Sequence, residues 1–303
     1  MEKGLNFRTI ESQKEYFKTY ENSLKLISCP IEEKYVSTSF GYSHVLCSGT
    51  VGNPPLVLLH AASCGSPIWY KNIPFWSKYF RVYAVDLIGE SSKSILTKKL
   101  KKPYDNAEWL DETLAGLGLD KFFLCGLSIG GWNAANYAAY YPQKVLKLML
   151  LSPVQTFSKM YNSFFIKIMK MGFNPTRENV EAYIGWANEN EEPLPDSIIK
   201  QFTISVMNMN SNASFPKWLS KKHLLNLKMP VFVLIGENEF AFSILKAARR
   251  AKDVISDLTL EIVEGASHLI SVSKPDYINI RVLEFINEQI DSNFSACTTQ
   301  HKK

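Results

Sequence analysis

The chain alternates short, continuously apolar runs with segments of helical length, and this rhythm restricts its fold more than any other feature. The apolar runs occupy residues 56–59, 82–85, 122–125, 146–151, 231–235 and 258–263. Such runs are typical of parallel strands that are covered on both faces. Helical candidates lie between or after them, at residues 106–117, 132–141, 244–251 and 276–290. The alternation predicts an α/β protein with a mostly parallel, doubly covered sheet and right-handed crossovers.

The first fifty-five residues follow a different pattern. Apolar residues within 12–27 recur at the spacing of one face of an amphipathic helix. Two extended runs follow at 34–39 and 42–48, separated by Gly41 and closed by the turn-rich residues 52–55. These runs predict a β-hairpin ahead of the alternating part of the chain.

The alternation is interrupted once, between the fourth and fifth apolar runs. The interruption contains helical windows rich in Phe, Met, Ile and Tyr, at residues 160–171 and 179–187, and no convincing strand. Segments inserted at the carboxyl edge of an α/β sheet commonly form lids, because ligands bind at that edge. We therefore expect one domain over residues 1–303, with residues 154–220 forming a helical cap.

Composition excludes several classes of protein. The 303 residues carry 34 basic and 29 acidic side chains, and this modest charge of +5 does not indicate a nucleic-acid partner. Five cysteines, an odd number with no C-x-x-C pair, predict free thiols and favour a reducing compartment. No window reaches the ~18 uncharged apolar residues of a membrane span, and no signal peptide is visible. We expect a cytoplasmic protein without a membrane span.

The strongest chemical signal is the Gly-Leu-Ser-Ile-Gly motif at residues 126–130. An apolar run precedes it and a helical segment follows it, which is the strand-turn-helix context of a nucleophile elbow. The turn strains the backbone of the serine, and small residues two positions away on each side let strand and helix approach closely. Ser128 is therefore the candidate nucleophile, the alternative being a Gly-rich turn with a bystander serine.

A serine hydroxyl needs a neighbouring base to accept its proton at neutral pH. Five histidines are available, and two of them, His60 and His268, follow apolar runs at the edge of the sheet where catalytic groups gather. The chain order serine, acid, histidine singles out His268. We expect His268 to be the base.

The acid has to lie between Ser128 and His268. The run at 231–235 is followed by Gly236, Glu237, Asn238 and Glu239, so two carboxylates lie close to the tip of this strand. Glu237 and Glu239 share the same parity, and the alternation of side chains along a strand cannot choose between them.

These pieces resemble the α/β-hydrolase superfamily, of the serine esterase and lipase type, over about residues 31–290. The motifs that carry the resemblance are the Ser128 elbow and residues 58–62, 85–89, 236–239 and 265–268. The chain is also similar to bacterial carboxylesterases that accept bulky aryl esters. The resemblance implies hydrolysis of a carboxylic ester through an acyl-enzyme, with no cofactor and no metal.

The resemblance also assigns individual roles. It implies Glu239 as the acid, three residues after Gly236, although aspartate is commoner there. The N–H groups of Ala62 and Ile129 are the implied oxyanion-hole donors. The family usually has glycine where this chain has Ala61, and the added Cβ can shift the backbone of that loop.

The expected partner is a small-molecule ester with an apolar group. Trp69, Trp132, Phe165 and Trp186 are candidates to line its pocket, with core packing as the alternative for each. Fold analogy cannot separate ester cleavage from cleavage of thioesters, lactones or C–C bonds. A ligand-binding or signalling protein that keeps the fold with little turnover is the alternative from another class.

Overall fold

The computed structural model describes residues 6–187, 193–208 and 216–288, and these residues contain a nine-stranded sheet. The strands are β1 (Glu32–Thr38), β2 (Gly41–Ser48), β3 (Pro55–Leu59), β4 (Arg81–Val85), β5 (Ile95–Leu96), β6 (Phe122–Leu127), β7 (Val145–Leu151), β8 (Val231–Gly236) and β9 (Leu258–Val263). Each predicted apolar run forms a strand, and the two-residue β5 is the strand that the sequence pattern did not indicate.

The strand order across the sheet is β1-β2-β4-β3-β6-β7-β8-β9, and β5 pairs with β2. Strands β1 and β2 form the predicted antiparallel hairpin, and β2 pairs antiparallel with β4. The remaining pairs, from β4 and β3 through to β9, are parallel. The chain order reverses at β3, so the carboxyl ends of β3 and β6 border a crevice of the kind that binds ligands in α/β sheets.

Helices cover both faces of this sheet, as predicted. They are α1 (Ile10–Leu24), α2 (Ile73–Trp76), α3 (Pro103–Gly116), α4 (Ile129–Tyr140), α5 (Asn162–Phe173), α6 (Arg177–Ala187), α7 (Asp196–Asn208), α8 (Lys221–Leu224), α9 (Ile244–Val254), α10 (Ile270–Ser273) and α11 (Pro275–Asn287). Alternate residues of β3 enter two apolar cores: Val57 and Leu59 pack with α3, α4 and α9, whereas Leu56 and Leu58 pack with α2 and α11. The predicted fold class is confirmed.

The expected cap contains helices α5 to α7, and its described residues include no strand. Sequence periodicity indicated α5 and α6 but did not single out α7. Residues 188–192 and 209–215 lie outside the described part of the chain, as does Ile290 at the end of the last predicted helix. The extent of the cap as residues 154–220 therefore stays a prediction.

The N-terminal helix α1 connects the sheet to the cap. Its first turn is closed by a capping box between Thr9 and Ser12. Tyr20 is fully buried and donates from its hydroxyl to Asp86 Oδ1 at 3.1 Å. One turn earlier, the hydroxyl of Tyr16 accepts from Gln201 of α7 at 3.1 Å. Helix α1 thus shares buried hydrogen bonds with the end of β4 and with α7.

None of the helices within the described residues has the length and apolar character that crossing a membrane requires. The four cysteines in that part of the chain are free thiols: Cys29, Cys47, Cys64 and Cys125.

Gly236, at the end of β8, generates a test of the packing. A Cβ at this position would lie 2.4 Å from the backbone oxygens of Ala266 and Ser267, in the loop after β9. Because this backbone would have to move, Gly236→Ala is expected to lower the free energy of unfolding by about 2 kcal/mol, measured in urea.

The matched control for this test is Gly185→Ala in α6. A Cβ at Gly185 meets no atom within 4 Å. Alanine is the better helix former, so this variant is expected to gain up to ~1 kcal/mol. Equal stability of the two variants would contradict the close approach at Gly236.

Candidate active site

The turn between β6 and α4 holds Ser128 in a left-handed backbone conformation, with φ 55° and ψ −113°. A Cβ at Gly126 would lie 2.3 Å from the carbonyl oxygen of Gly130, and one at Gly130 would lie 2.1 Å from that of Leu59. These distances are far below van der Waals contact, so both positions require glycine. The motif therefore places Ser128 at the tip of the turn, beside the end of β3.

His268 lies within hydrogen-bond distance of this serine. Its Nε2 is 2.8 Å from Ser128 Oγ. The histidine belongs to the loop between β9 and α10, and the serine and the histidine are 7 % and 6 % exposed. A largely dehydrated pair of this kind interacts more strongly than it would in water.

Glu239 contacts the other ring nitrogen of His268. Its Oε1 and Oε2 lie 2.9 and 2.8 Å from Nδ1, and Oε1 also accepts the Ala241 N–H at 2.8 Å. Because a carboxylate can only accept, Nδ1 carries the proton and Nε2 presents its lone pair to Ser128. The three side chains are therefore arranged to move a proton from the serine to the imidazole.

Glu237 was the other carboxylate that the sequence left open. It is exposed, and its Oε2 accepts the Gly265 N–H at 2.9 Å. Glu237 therefore braces the loop that leads to His268, and the structure brings Glu239 to the ring instead.

The two expected oxyanion donors lie on adjoining pieces of backbone. Ile129 is the first residue of α4, where N–H groups have no acceptor within the helix and the helix dipole favours negative charge. Ala62 belongs to the loop after β3. A Cβ at Gly130 would lie only 2.7 Å from the carbonyl oxygen of His60, as well as close to that of Leu59. The loop after β3 therefore packs directly against the first turn of α4.

Aromatic rings surround the imidazole of His268. The ring centroids of Phe240, Phe164 and Phe242 lie 5.5, 6.3 and 6.4 Å from it. Trp186 of α6 packs on Phe240 at 4.7 Å. Residues of α5, α6 and the loop after β8 thus form an apolar wall over His268.

Two of the four expected pocket residues lie beside the site. Trp186 belongs to the aromatic wall and also lines a cavity of about 390 Å³ between α5 and α6, together with Lys167 and Tyr183. Trp132 is buried in α4 and lines a small cavity next to Ile129.

The other two expected pocket residues lie in different surroundings. Trp69 is fully buried in the core and packs on Trp76 at 5.9 Å. Phe165 is 40 % exposed, because adjacent helical residues point in different directions and its neighbour Phe164 takes the inward position. The sequence analysis missed Phe240, although its place directly after Glu239 was a usable signal.

Comparison with known proteins shows the family of this chain. Residues 54–275 match the model of the alpha/beta hydrolase fold family, and the chain belongs to that family. The resemblance drawn from the sequence motifs is therefore confirmed.

The chain is similar to carboxylesterases of Bacillus subtilis. It is 36 % identical to the uncharacterized carboxylesterase nap, over 90 % of this chain and 93 % of the relative. It is 33 % identical to carboxylesterase YbfK, over 93 % and 97 % of the two chains. The crystal structure of naproxen esterase from this organism superimposes with a TM-score of 0.87 at 32 % identity, covering 92 % of this chain and all of the other.

The two neighbouring glutamates allow a matched pair of variants. Glu239→Gln keeps the shape of the side chain but favours the wrong histidine tautomer, which can lower kcat by up to ~10⁴-fold. Glu237→Gln is expected to leave kcat nearly unchanged. Turnover of p-nitrophenyl butyrate at neutral pH measures both, and a large loss confined to Glu237→Gln would reverse the assignment.

Proposed function

We propose that this protein is a serine carboxylesterase that hydrolyses small esters with an apolar group through an acyl-enzyme. The observation that carries the proposal is the continuous hydrogen-bonded chain from Ser128 Oγ through His268 to Glu239. The similarity to carboxylesterases over nine-tenths of the chain supports ester hydrolysis in particular.

The reaction follows from the proton positions. His268 Nε2 accepts the Ser128 hydroxyl proton while Oγ bonds to the ester carbonyl carbon, whose oxygen becomes negative. The N–H groups of Ala62 and Ile129 stabilise that oxygen, and Glu239 stabilises the imidazolium. The bond to the alcohol oxygen then breaks, and the alcohol leaves with the proton from His268. Water repeats these steps to release the acid and restore the serine.

The aromatic wall indicates the substrate class. Phe164, Phe240 and Trp186 offer flat apolar surfaces beside His268, and the Lys167 ammonium lies over the Trp186 ring, 3.8 Å from its centroid. Such surfaces bind apolar or aromatic parts of a ligand. The name of the naproxen esterase of Bacillus subtilis denotes an ester of an aromatic acid. We extend this preference to the present chain and assign the selection of substrate shape to the cap.

A cytoplasmic location is part of the proposal. An odd number of cysteines, and free thiols at the four described ones, support a reducing compartment.

The nucleophile is tested by covalent labelling. A fluorophosphonate is expected to add once, to Ser128, because it reacts with an activated serine beside an oxyanion hole. Ser128→Ala should give no adduct in intact-mass spectrometry and should lose at least ~10³-fold in turnover of p-nitrophenyl butyrate. Turnover that persisted in a pure Ser128→Ala preparation would place the activity elsewhere.

The aromatic wall is tested with two variants of the cap. Trp186→Ala removes a ring that packs on Phe240 beside His268. It should therefore raise KM for esters that carry a bulky aromatic group more than for small aliphatic acetates. Phe165→Ala, on the exposed side of the cap, is the control and should leave the ranking of esters unchanged. An equal effect of the two substitutions would contradict the assignment of the wall.

A further inference from the structure

Side chains from distant parts of the chain hold the loop that carries the Ala62 N–H. His60 accepts the Leu87 N–H through Nε2 at 2.9 Å, so its Nδ1 carries the proton and donates to the Ala61 carbonyl at 2.7 Å. The C=O and N–H of one trans peptide point in opposite directions. The bond to the Ala61 carbonyl therefore turns the Ala62 N–H away from His60.

Glu90 holds the next peptide of this loop. The Ser63 N–H donates to Glu90 Oε2 at 3.1 Å. Ser63 has φ 58°, a left-handed conformation that is unfavourable for an L-residue and persists only where its surroundings hold it. Glu90 is itself held in place, since its side chain is buried (6 % exposed) and its backbone carbonyl accepts from Asn6 Nδ2 at 2.7 Å.

The N–H of Ala62 lies between the anchored Ala61 carbonyl and the anchored Ser63 N–H. Within the described part of the chain, the Ala62 N–H has no hydrogen-bond acceptor. Glu90 also lines the small cavity that Ile129, the other expected oxyanion donor, lines. A donor that is held rigidly and left unpaired is what stabilisation of an oxyanion requires.

We propose that Glu90 is a positioning residue of the oxyanion hole. By accepting the Ser63 N–H, its carboxyl fixes the left-handed turn that directs the Ala62 N–H toward the substrate oxygen. The role rests on the proposed function, because an oxyanion forms only when Ser128 attacks a carbonyl. It also shows how this loop can stay in place with Ala61 where the family resemblance expects glycine.

The chemistry of the buried carboxyl suits this position. Burial raises the pKa of Glu90, against the opposing effect of the Ser63 N–H. Holding the Ser63 N–H requires an acceptor oxygen at this position. Glutamine preserves that acceptor, whereas leucine preserves the size and removes the acceptor.

The test compares Glu90→Gln and Glu90→Leu with the unmodified enzyme on p-nitrophenyl butyrate, with kcat and KM determined separately. Glu90→Leu is expected to lose roughly 10- to 100-fold in kcat with KM nearly unchanged, part of the 10²–10³-fold that a whole donor contributes. Glu90→Gln is expected to retain kcat. The rate of phosphonylation of Ser128 should follow kcat, because that reaction also places negative charge on an oxygen in the hole.

Asp111→Leu is the control for general destabilisation. Asp111 is a partly buried carboxylate that accepts from Tyr137 and Lys144, in the contact between α3 and α4. Its loss should lower the free energy of unfolding and leave kcat unchanged. If Glu90→Leu does not fold, Glu90→Ala takes its place with the same expectation.

The proposal is overturned if loss of the acceptor leaves kcat unchanged, if Glu90→Gln loses as much as Glu90→Leu, or if the whole effect lies in KM. Ester turnover that survives Ser128→Ala would instead overturn the proposed function and the role of Glu90 with it. Turnover that depends on Ser128 but not on Glu90 would remove the positioning role alone.

Discussion

The close approach of α4 to the ends of β3 and β6 is the constraint on which the rest of the site depends. It exists because Gly126 and Gly130 lack side chains that would meet backbone oxygens. The approach holds Ser128 at a φ that costs about 1–3 kcal/mol, which the large apolar cores on both faces of the sheet offset. It also brings the loop after β3 beside Ser128, so the serine hydroxyl and the N–H groups of Ala62 and Ile129 share one rigid framework.

The sequence predicts the fold well because buried parallel strands leave continuous apolar runs, whereas β5 is too short to leave a pattern. The serine and histidine of the site follow from strand ends and chain order. The choice between Glu237 and Glu239 does not, since it depends on how the loop after Gly236 curls back toward His268. Pocket residues are harder to predict from the sequence, because the directions of Phe164 and Phe165 depend on how α5 packs against its neighbours.

A second buried network ties α1 to β2 and to the end of β4. Asp86 accepts from His44, Tyr20 and the Ser66 N–H. Burial alone would raise the pKa of Asp86, but His44 holds it well below its ordinary value. The carboxylate therefore contributes stability above the usual range of aspartate titration, and this contribution is lost in acid. Removing one partner would leave a buried charge uncompensated, which is more costly than the pair itself is favourable.

The contact between Tyr16 and Gln201 joins residues 185 positions apart, and the same glutamine donates to the Cys64 carbonyl at 2.6 Å. A contact this distant in sequence closes a very long loop. The chain loses the conformational entropy of that loop before the contact can stabilise the fold. The backbone beyond Ala62 therefore takes its final position only when both α1 and α7 have packed against it. We expect the loop that carries the Ala62 N–H to depend on a helix from the cap as well as on the sheet.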